Sequence, residues 1–348
     1  MAGDSIMIKK TVTMSDIAAE LGCSTVTVSK ALSDKDGVSD ELRQRIKQKA
    51  NEMGYRVSYV SKNTKEALTY HIGVLVAQRF ISDASAFYWV VYRYIVELLQ
   101  KQSYYGILEM ITEKDERAGS MPSSITEKKI DGIIALGQFS DHYVENILSA
   151  QIPTVFLDFY SSRLDVETVL SDNFFGSYSI TNYLINNGHR RIGFIGTITA
   201  TSSIQDRYMG YYKSLLEHGI PLRDDWVIDD RDSEGVNFKS IRFPDEMPTA
   251  FVCNCDDTAY RVVNQLRSMG YRIPNDISIV GYDNHIYSTI SNPRITTMDI
   301  NSYHMSSEAV EILVRKIRDN NYHCGRILVT GKLLERDSVK NLKENKDH

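Results

Sequence analysis

Apolar positions recur at helical spacing three times within the first 54 residues. Ile17, Ala18 and Leu21 share one face of a first short helix. Thr13-Met14-Ser15-Asp16 precedes it with a capping hydroxyl and an acid in the first turn, where the helix dipole favours negative charge. Gly22 then permits a turn that a Cβ would resist. Ser24 caps a second helix over residues 25–32, with Val28, Ala31 and Leu32 facing inward. Ser39 caps a third over residues 40–53, with Leu42, Ile46, Ala50 and Met53 in register, and Gly54 ends it.

After residue 70 the pattern changes. Short, nearly continuous apolar runs alternate with helical stretches. The runs 72–76, 105–110, 132–136 and 154–157, with a helix over 88–100, form a first series. Runs 192–196, 250–253 and 277–281, with helices over 207–218 and 258–269, form a second. Apolar runs without alternation are what strands covered on both faces require, so two doubly wound parallel sheets are predicted. In such sheets a ligand sits at the carboxyl ends of the strands, here in the crevice between two lobes. The fold class is therefore α/β, with an all-α head and a two-lobed body.

Composition narrows the function. Of 348 residues 42% are hydrophobic and 24% charged, the balance of a globular chain. No apolar run spans a bilayer and residues 1–10 carry no signal-peptide core, so a cytoplasmic location and no membrane partner are expected. The net charge of −5 is uneven: residues 1–65 hold eleven Lys and Arg against eight Asp and Glu, a net of +3, leaving −8 for the remainder. Attraction for phosphate is thus confined to the head. The four cysteines, Cys23, Cys253, Cys255 and Cys324, form no CxxC pair, so neither a metal nor a disulfide framework is expected. No phosphate loop, dinucleotide fingerprint or nucleophile elbow occurs, and no cofactor or catalytic residue is assigned. Asp256 and Asp257 read as the first turn of a helix rather than a metal pair.

Helix, glycine turn, helix is the geometry of a helix-turn-helix, whose second helix enters the major groove. Thr25 and Val26 lie at its N-terminal end, where base edges come within reach. Thr27 and Ser29 are short donors suited to phosphate oxygens, and Lys30 reaches either. The alternative is a three-helix cap whose hydroxyls only cap helices.

The run Val12-Thr13-Met14-Ser15-Asp16-Ile17-Ala18, then Gly22-Cys23-Ser24-Thr25-Val26-Thr27-Val28-Ser29-Lys30-Ala31-Leu32, resembles the opening of the LacI/GalR family of bacterial repressors. Val38-Ser39 and Met53-Gly54-Tyr55 continue the likeness. So do Asn187-Gly188-His189-Arg190-Arg191-Ile192, Asp206-Arg207-Tyr208-Met209-Gly210-Tyr211 and Ile279-Val280-Gly281-Tyr282-Asp283-Asn284 in the body. The resemblance implies base reading by Thr25, Val26 and Lys30, and phosphate contacts from Thr13, Ser24, Thr27, Ser29 and Ser33. It implies a ligand clamp of Arg207 and Asp283, an aromatic pair Phe87 and Tyr88, and an acidic position at Asp172. It further implies a homodimer on a pseudo-palindromic double-stranded operator, a carbohydrate effector and repression of carbohydrate genes. The domains expected are a head over 11–56, a hinge over 57–70 and a body over 71–340. Lobe 1 is drawn from about 71–172 and 297–325, and lobe 2 from about 173–296 and 326–340.

Three departures stand out. Thr64 falls where the family's hinge wedges a leucine into the minor groove, so either Leu68 or Val60 substitutes or the hinge does not fully intercalate. Lys62 and Lys65 are candidate phosphate contacts, the alternative being a plain solvated linker. The segment 78–86 is about four residues longer than usual, and Cys255 stands where a ligand-contacting Asn is common, with Asn254 beside it. Both changes fall on the effector site. Other readings stay open: an effector that is a nucleobase, or a binding protein or enzyme with an accessory helical head.

Overall fold

The computed structural model describes residues 14–32, 37–53, 68–81, 87–161, 163–232 and 238–343. The chain divides into two compact units after Leu68. The first holds α1 (Met14–Leu21), α2 (Thr25–Leu32) and α3 (Asp40–Glu52). Their inward faces are the apolar positions expected: Ile17, Val28, Ala31 and Ile46 are fully buried, with Ala18 and Ala50 nearly so. Gly22 has φ +61° in the turn between α1 and α2, and the following amide of Cys23 closes onto the Ala18 carbonyl at 3.0 Å. A left-handed residue at that point costs glycine nothing.

The second unit is built from two sheets. In chain order its elements are β1 (His71–Ala77), α4 (Phe87–Lys101), β2 (Tyr105–Ile111), α5 (Glu113–Ala118), α6 (Ser123–Thr126), β3 (Gly132–Leu136), α7 (Asp141–Ser149), β4 (Thr154–Leu157) and β5 (Thr168–Ser171). There follow α8 (Asn173–Asn186), β6 (Ile192–Ile195), α9 (Ser202–Glu217), β7 (Val227–Ile228), β8 (Ala250–Cys253), α10 (Asp256–Ser268), β9 (Ser278–Tyr282) and α11 (Ile286–Ile290). The chain ends with β10 (Thr296–Asp299), α12 (Ser302–Arg318), β11 (Arg326–Val329) and β12 (Lys332–Leu334). The sheets run β2-β1-β3-β4-β5-β11 and β7-β6-β8-β9-β10-β12, and every pairing is parallel except β10 with β12.

Side chains alternate between the faces of each sheet, and helices cover both. In lobe 1, Leu75, Ile133 and Phe156 pack with Phe139 and Tyr143. Val74, Ile134 and Val155 face the other way, toward Ile95 of α4 and Leu313 of α12. This explains the unbroken apolar runs: neither face meets water. In lobe 2, α8 and α9 lie so close that a Cβ on Gly210 would sit 2.1 Å from the Phe174 carbonyl oxygen. That approach brings the third turn of α9 against the start of α8.

In each sheet the strand order switches sides between the first and third strands in sequence, β1 beside β3 and β6 beside β8. The switch points open at the carboxyl ends of these strands, where the loops carrying Phe80, Gln138, Thr197 and Asn254 begin. The chain passes between the two sheets after Ser171, after Asp299 and after Val329. Thr296, Thr297 and Asp299 are polar, so hydropathy gave no sign that this strand continues, yet both threonines are fully buried within the sheet. Helix α9 begins at Ser202, not 207, because the Thr201 side chain accepts from the Ile204 amide and extends the helix by one polar turn. Among the described residues no helix is long and apolar enough to cross a membrane.

Candidate functional site

On the first unit, α2 presents a polar outer face. Its Ser24 cap accepts from the Thr27 amide at 3.1 Å, and the two hydroxyls lie 2.8 Å apart. Both hydroxyls therefore have a structural partner as well as an exposed edge. Thr25, Val26 and Lys30 are exposed, while Val28 and Ala31 anchor the helix from behind. Val26 is 63% exposed. An isolated apolar side chain at the tip of such a helix gains nothing from water, and suits the thymine methyl in a major groove. Ser29 is half-buried. Arg43 of α3, which the sequence reading did not single out, reaches the carbonyls of Lys30 and Val38 at 3.5 and 3.4 Å and steadies the end of α2. Thr13, Ser33 and Lys62, with nearly all of the hinge, lie outside the described residues.

On the second unit, the centre of the cleft is a buried cluster drawn from both lobes. Arg207 uses its whole guanidinium. Nε donates to Asn173 Oδ1 at 2.8 Å and Nη1 to the Asn254 carbonyl at 2.6 Å. Nη2 lies 2.9 Å from Asp283 Oδ1, an ion contact outside hydrogen-bond alignment. The Tyr282 ring lies beneath the guanidinium, 3.9 Å from centroid to Cζ. Burial alone would pull the Arg207 pKa down, but Asp283, Tyr282 and Asp158 outweigh it and hold the charge firmly. Asp283 and Asn284 have φ of +100° and +52°. Backbone held this way by non-glycine residues is costly and tends to mark functional loops.

From lobe 1, the Tyr88 hydroxyl donates to Asp158 Oδ2 at 2.7 Å. Burial, then the neighbouring Asp158, pushes the Tyr88 phenol well above its ordinary range. Burial likewise raises the Asp158 carboxyl to about 6, against the pull of Arg207 and the Tyr88 hydrogen bond and with added repulsion from Asp283. Asp158 Oδ1 and Asp283 Oδ1 are both buried without a hydrogen-bond partner. Two further contacts bridge the lobes: Tyr160 Oη to Asp206 Oδ1 at 3.2 Å, and Ser202 Oγ to Gln138 Oε1 at 3.0 Å.

The structure thus brings Phe87, Tyr88, Arg207, Cys255 and Asp283 to one cleft. The Phe87 and Tyr88 rings meet edge to face at 5.3 Å. Cys255 starts α10, its Sγ 3.3 Å from Thr258 Oγ1; burial raises its thiol to about 12, so it stays protonated and inert. Asp172 spends its carboxylate capping α8, accepting from the Phe175 amide at 3.1 Å, and no hydrogen bond ties it to Arg207. Asn254 does not replace the missing Asn with its side chain. That amide turns into lobe 2 and donates to Asp230 at 2.7 Å, while Asp230 also accepts from Thr197 N and Thr258 Oγ1. Asp158, Asn173 and Asp230 were missed. Asp158 carried a usable signal, an acid immediately after a buried strand at the carboxyl edge of a parallel sheet.

Two cavities flank the cluster. One, of about 450 Å³, is lined by Phe87, Trp89, Tyr94 and Tyr303 with Asp283, His285 and Asp299 among others. The other, of about 390 Å³, is lined by Arg79, Glu116, Gln138, Thr201, Ser202 and Gln205 among others.

The raised Asp158 carboxyl has a measurable consequence. A group whose pKa is higher in the fold than in the unfolded chain stabilises the fold fully below its ordinary value, near 4, and loses that contribution as pH rises through 6. Thermal denaturation should show the wild type losing on the order of 3 kcal/mol against Asp158→Asn between pH 4 and pH 8. A difference constant across that range would mean that Asp158 does not titrate in the fold.

Family models match both units. That for "Bacterial regulatory proteins, lacI family" covers residues 13–58, and that for a "Periplasmic binding protein-like domain" covers residues 181–339. Among curated relatives, the ribose operon repressor of Haemophilus influenzae is 28% identical over 95% of this chain and 99% of its own length. The transcriptional repressor PurR of Glaesserella parasuis is also 28% identical, with the same coverage. The regulator RegA of Clostridium saccharobutylicum is 29% identical over 93% of this chain and 98% of its own. Among solved structures, the regulator CelR in complex with cellobiose aligns over 94% of this chain and 99% of its own, with TM-score 0.67 and 24% identity. The lac repressor dimer bound to operator and an anti-inducer aligns over 95% and 100%, with TM-score 0.67 and 20% identity.

Proposed function

Because this chain belongs to the lacI family of bacterial regulatory proteins and is a DNA-binding transcriptional repressor of that family, we propose that a neutral, hydroxyl-rich effector, a carbohydrate, controls its hold on the operator. The observation that carries this reading is the charge state of the cleft. Arg207 is fully committed to Asn173, Asn254 and Asp283, so it offers no free fork to an anionic ligand. What the cleft lacks is donors: Asp158 Oδ1 is buried without a hydrogen-bond partner, and Asp283 Oδ1 has only the misaligned ion contact from Arg207. A polyol supplies such donors, and leaving buried acceptors unpaired is costly. The aromatic walls from Phe87, Trp89 and Tyr303 favour a second candidate, a planar nucleobase, whose ring N–H groups meet the same need.

In this reading α2 lies in the major groove, with Thr25, Val26 and Lys30 on base edges and Ser24, Thr27 and Ser29 on phosphates. Thr13, Ser33 and Lys62 add phosphate contacts. A homodimer places two heads on a pseudo-palindromic site. The effector acts through its differential affinity for two arrangements of the lobes. The regulated genes are those of carbohydrate uptake and breakdown, and the protein works in the cytoplasm.

A binding series against the DNA upstream of its own gene tests the head. Affinity should be sequence-selective and should fall steeply with salt. Thr25→Ala with Lys30→Ala should lower selectivity by roughly 30-fold or more, since each of the two base contacts discriminates by about 1–3 kcal/mol. Unchanged selectivity would place recognition elsewhere. For the cleft, a thermal-shift screen of neutral sugars, the same sugars as phosphates, and nucleobases separates the candidates. A shift confined to sugar phosphates would overturn the neutral-ligand reading.

A further inference from the structure

Asp131 stands immediately before β3 and gives both its carboxylate oxygens to two residues, Thr69 and Tyr70. Oδ1 accepts from the Thr69 amide at 2.8 Å and from the Thr69 hydroxyl at 2.9 Å, and Oδ2 accepts from the Tyr70 amide at 2.6 Å. Hydrogen bonds to a carboxylate are stronger than those to a neutral acceptor. The sheet itself does not need them. The pairing of β1 with β3 begins at Ile72 and Gly132, and the Asp131 amide already donates to the His71 carbonyl at 2.8 Å. The carboxylate reaches further back, to chain that precedes β1. Tyr70 is tied a second time: its carbonyl accepts from the Tyr105 amide at 2.9 Å, and its ring meets that of Tyr104 at 5.7 Å. Tyr70 also holds φ +60°, costly for a residue with a side chain, so these contacts impose the bend. Next to Asp131, Gly132 lies so close to α12 that a Cβ there would come 3.0 Å from Leu313 and from Ile317. The clamp is thus seated on packed structure.

Residues 69 and 70 open the second unit, so the chain that joins it to the head starts from them. We propose that Asp131 is a positioning residue for operator binding: it fixes the point and direction at which the chain leaves lobe 1, and gives the tether to the head an ordered root. Strand β3 carries the same anchor to the cleft. Roughly 20 Å further along extended chain, Gln138 accepts from the Ser202 hydroxyl of lobe 2 at 3.0 Å. Resting on the cleft as the effector site, the clamp makes the root follow lobe 1 when an effector changes how the lobes meet.

Asp131→Ala in the full-length protein tests the clamp with no effector present. Affinity for the DNA upstream of its own gene, measured below the melting temperature, should fall by about tenfold, the cost of ordering one backbone residue anew. Hydrogen exchange in a peptide spanning residues 68–72 should quicken in the same variant. A carboxylate that only stabilises the body would lower the melting temperature and leave operator affinity below it unchanged. Asp131→Asn keeps an oxygen for Thr69 but turns an NH2 toward the Tyr70 amide. It should fall between the wild type and Asp131→Ala in both readouts, and it carries the test if Asp131→Ala does not fold. Operator affinity equal to or above that of the wild type, or unchanged exchange, in a folded variant overturns the clamp. The link to the cleft is tested apart. Whichever of D-ribose, cellobiose and adenine shifts the wild-type melting temperature should shift that of the variant equally, yet move its operator affinity by a smaller factor. An equal factor overturns the link. If none of the three shifts the wild type, the effector reading of the cleft fails, and the two ligand-free readouts still decide the clamp.

Discussion

Arg207→Ala should abolish the effector-induced thermal shift and lower the stability of the second unit by about 3–5 kcal/mol, the range for removing one partner of a buried ion pair. The reason lies in what remains behind. Asp283 and Asp158 would face one another in a buried cleft with no counter-charge. Asn173 Oδ1 and the Asn254 carbonyl would lose their donor, and the Tyr282 ring its cation. Arg207→Lys should recover little of this. An ammonium is a point charge and cannot span an amide, a carbonyl and a carboxylate from one planar group. Thermal denaturation with and without effector reads both effects. Operator binding by the variant, measured below its unfolding temperature, should persist and cease to respond to effector. A wild-type ligand shift in this variant would remove Arg207 from the site.

What could be read from the chain and what could not divide along physical lines. Seven of the twelve strands among the described residues, four in one sheet and three in the other, are legible from apolar runs such as Ile72-Gly73-Val74-Leu75-Val76, whereas β5, β7, β10, β11 and β12 are too short or too polar to show. The head is legible because three helices with six buried residues leave little room for any other pattern. Arg207 and Asp283 were named through family resemblance, not through local chemistry, since nothing in the sequence places residues 207 and 283 within 2.9 Å. Asp230 was invisible for the same reason: its partners are Thr197 after β6, and Asn254 and Thr258 around the start of α10, all far from it in sequence. Asp172, expected at the effector site, also caps α8, which its position before that helix already allowed. The seat of the Tyr88 ring could not be read at all: a Cβ on Gly137 would lie 3.1 Å from Tyr88 Cζ, and a glycine's identity says only that space is needed, not what fills it.

Ile46→Ala should do the converse of Arg207→Ala, removing DNA binding and sparing the ligand response. Ile46 is fully buried where α3 meets α1 and α2, alongside Ile17 and Val28. Truncating a buried isoleucine costs about 2–5 kcal/mol, through lost burial and the cavity left behind. A core this small rarely supplies more than about 3–5 kcal/mol in total, so the head would be largely unfolded at 37 °C. Operator affinity, followed by fluorescence anisotropy, should then fall, by up to about 30-fold where the cost exceeds the stability of the head by about 2 kcal/mol, because the binding free energy must also refold the head. The second unit has its own core, so its melting transition and its shift with effector should match the wild type. Lys30→Ala serves as the contrast: an exposed position, an intact head by circular dichroism, and a loss of DNA affinity confined to the contacts of one side chain. Loss of the effector response in Ile46→Ala would show that the two units do not fold independently, and DNA binding at wild-type strength would show that α2 does not need its packed face to read DNA.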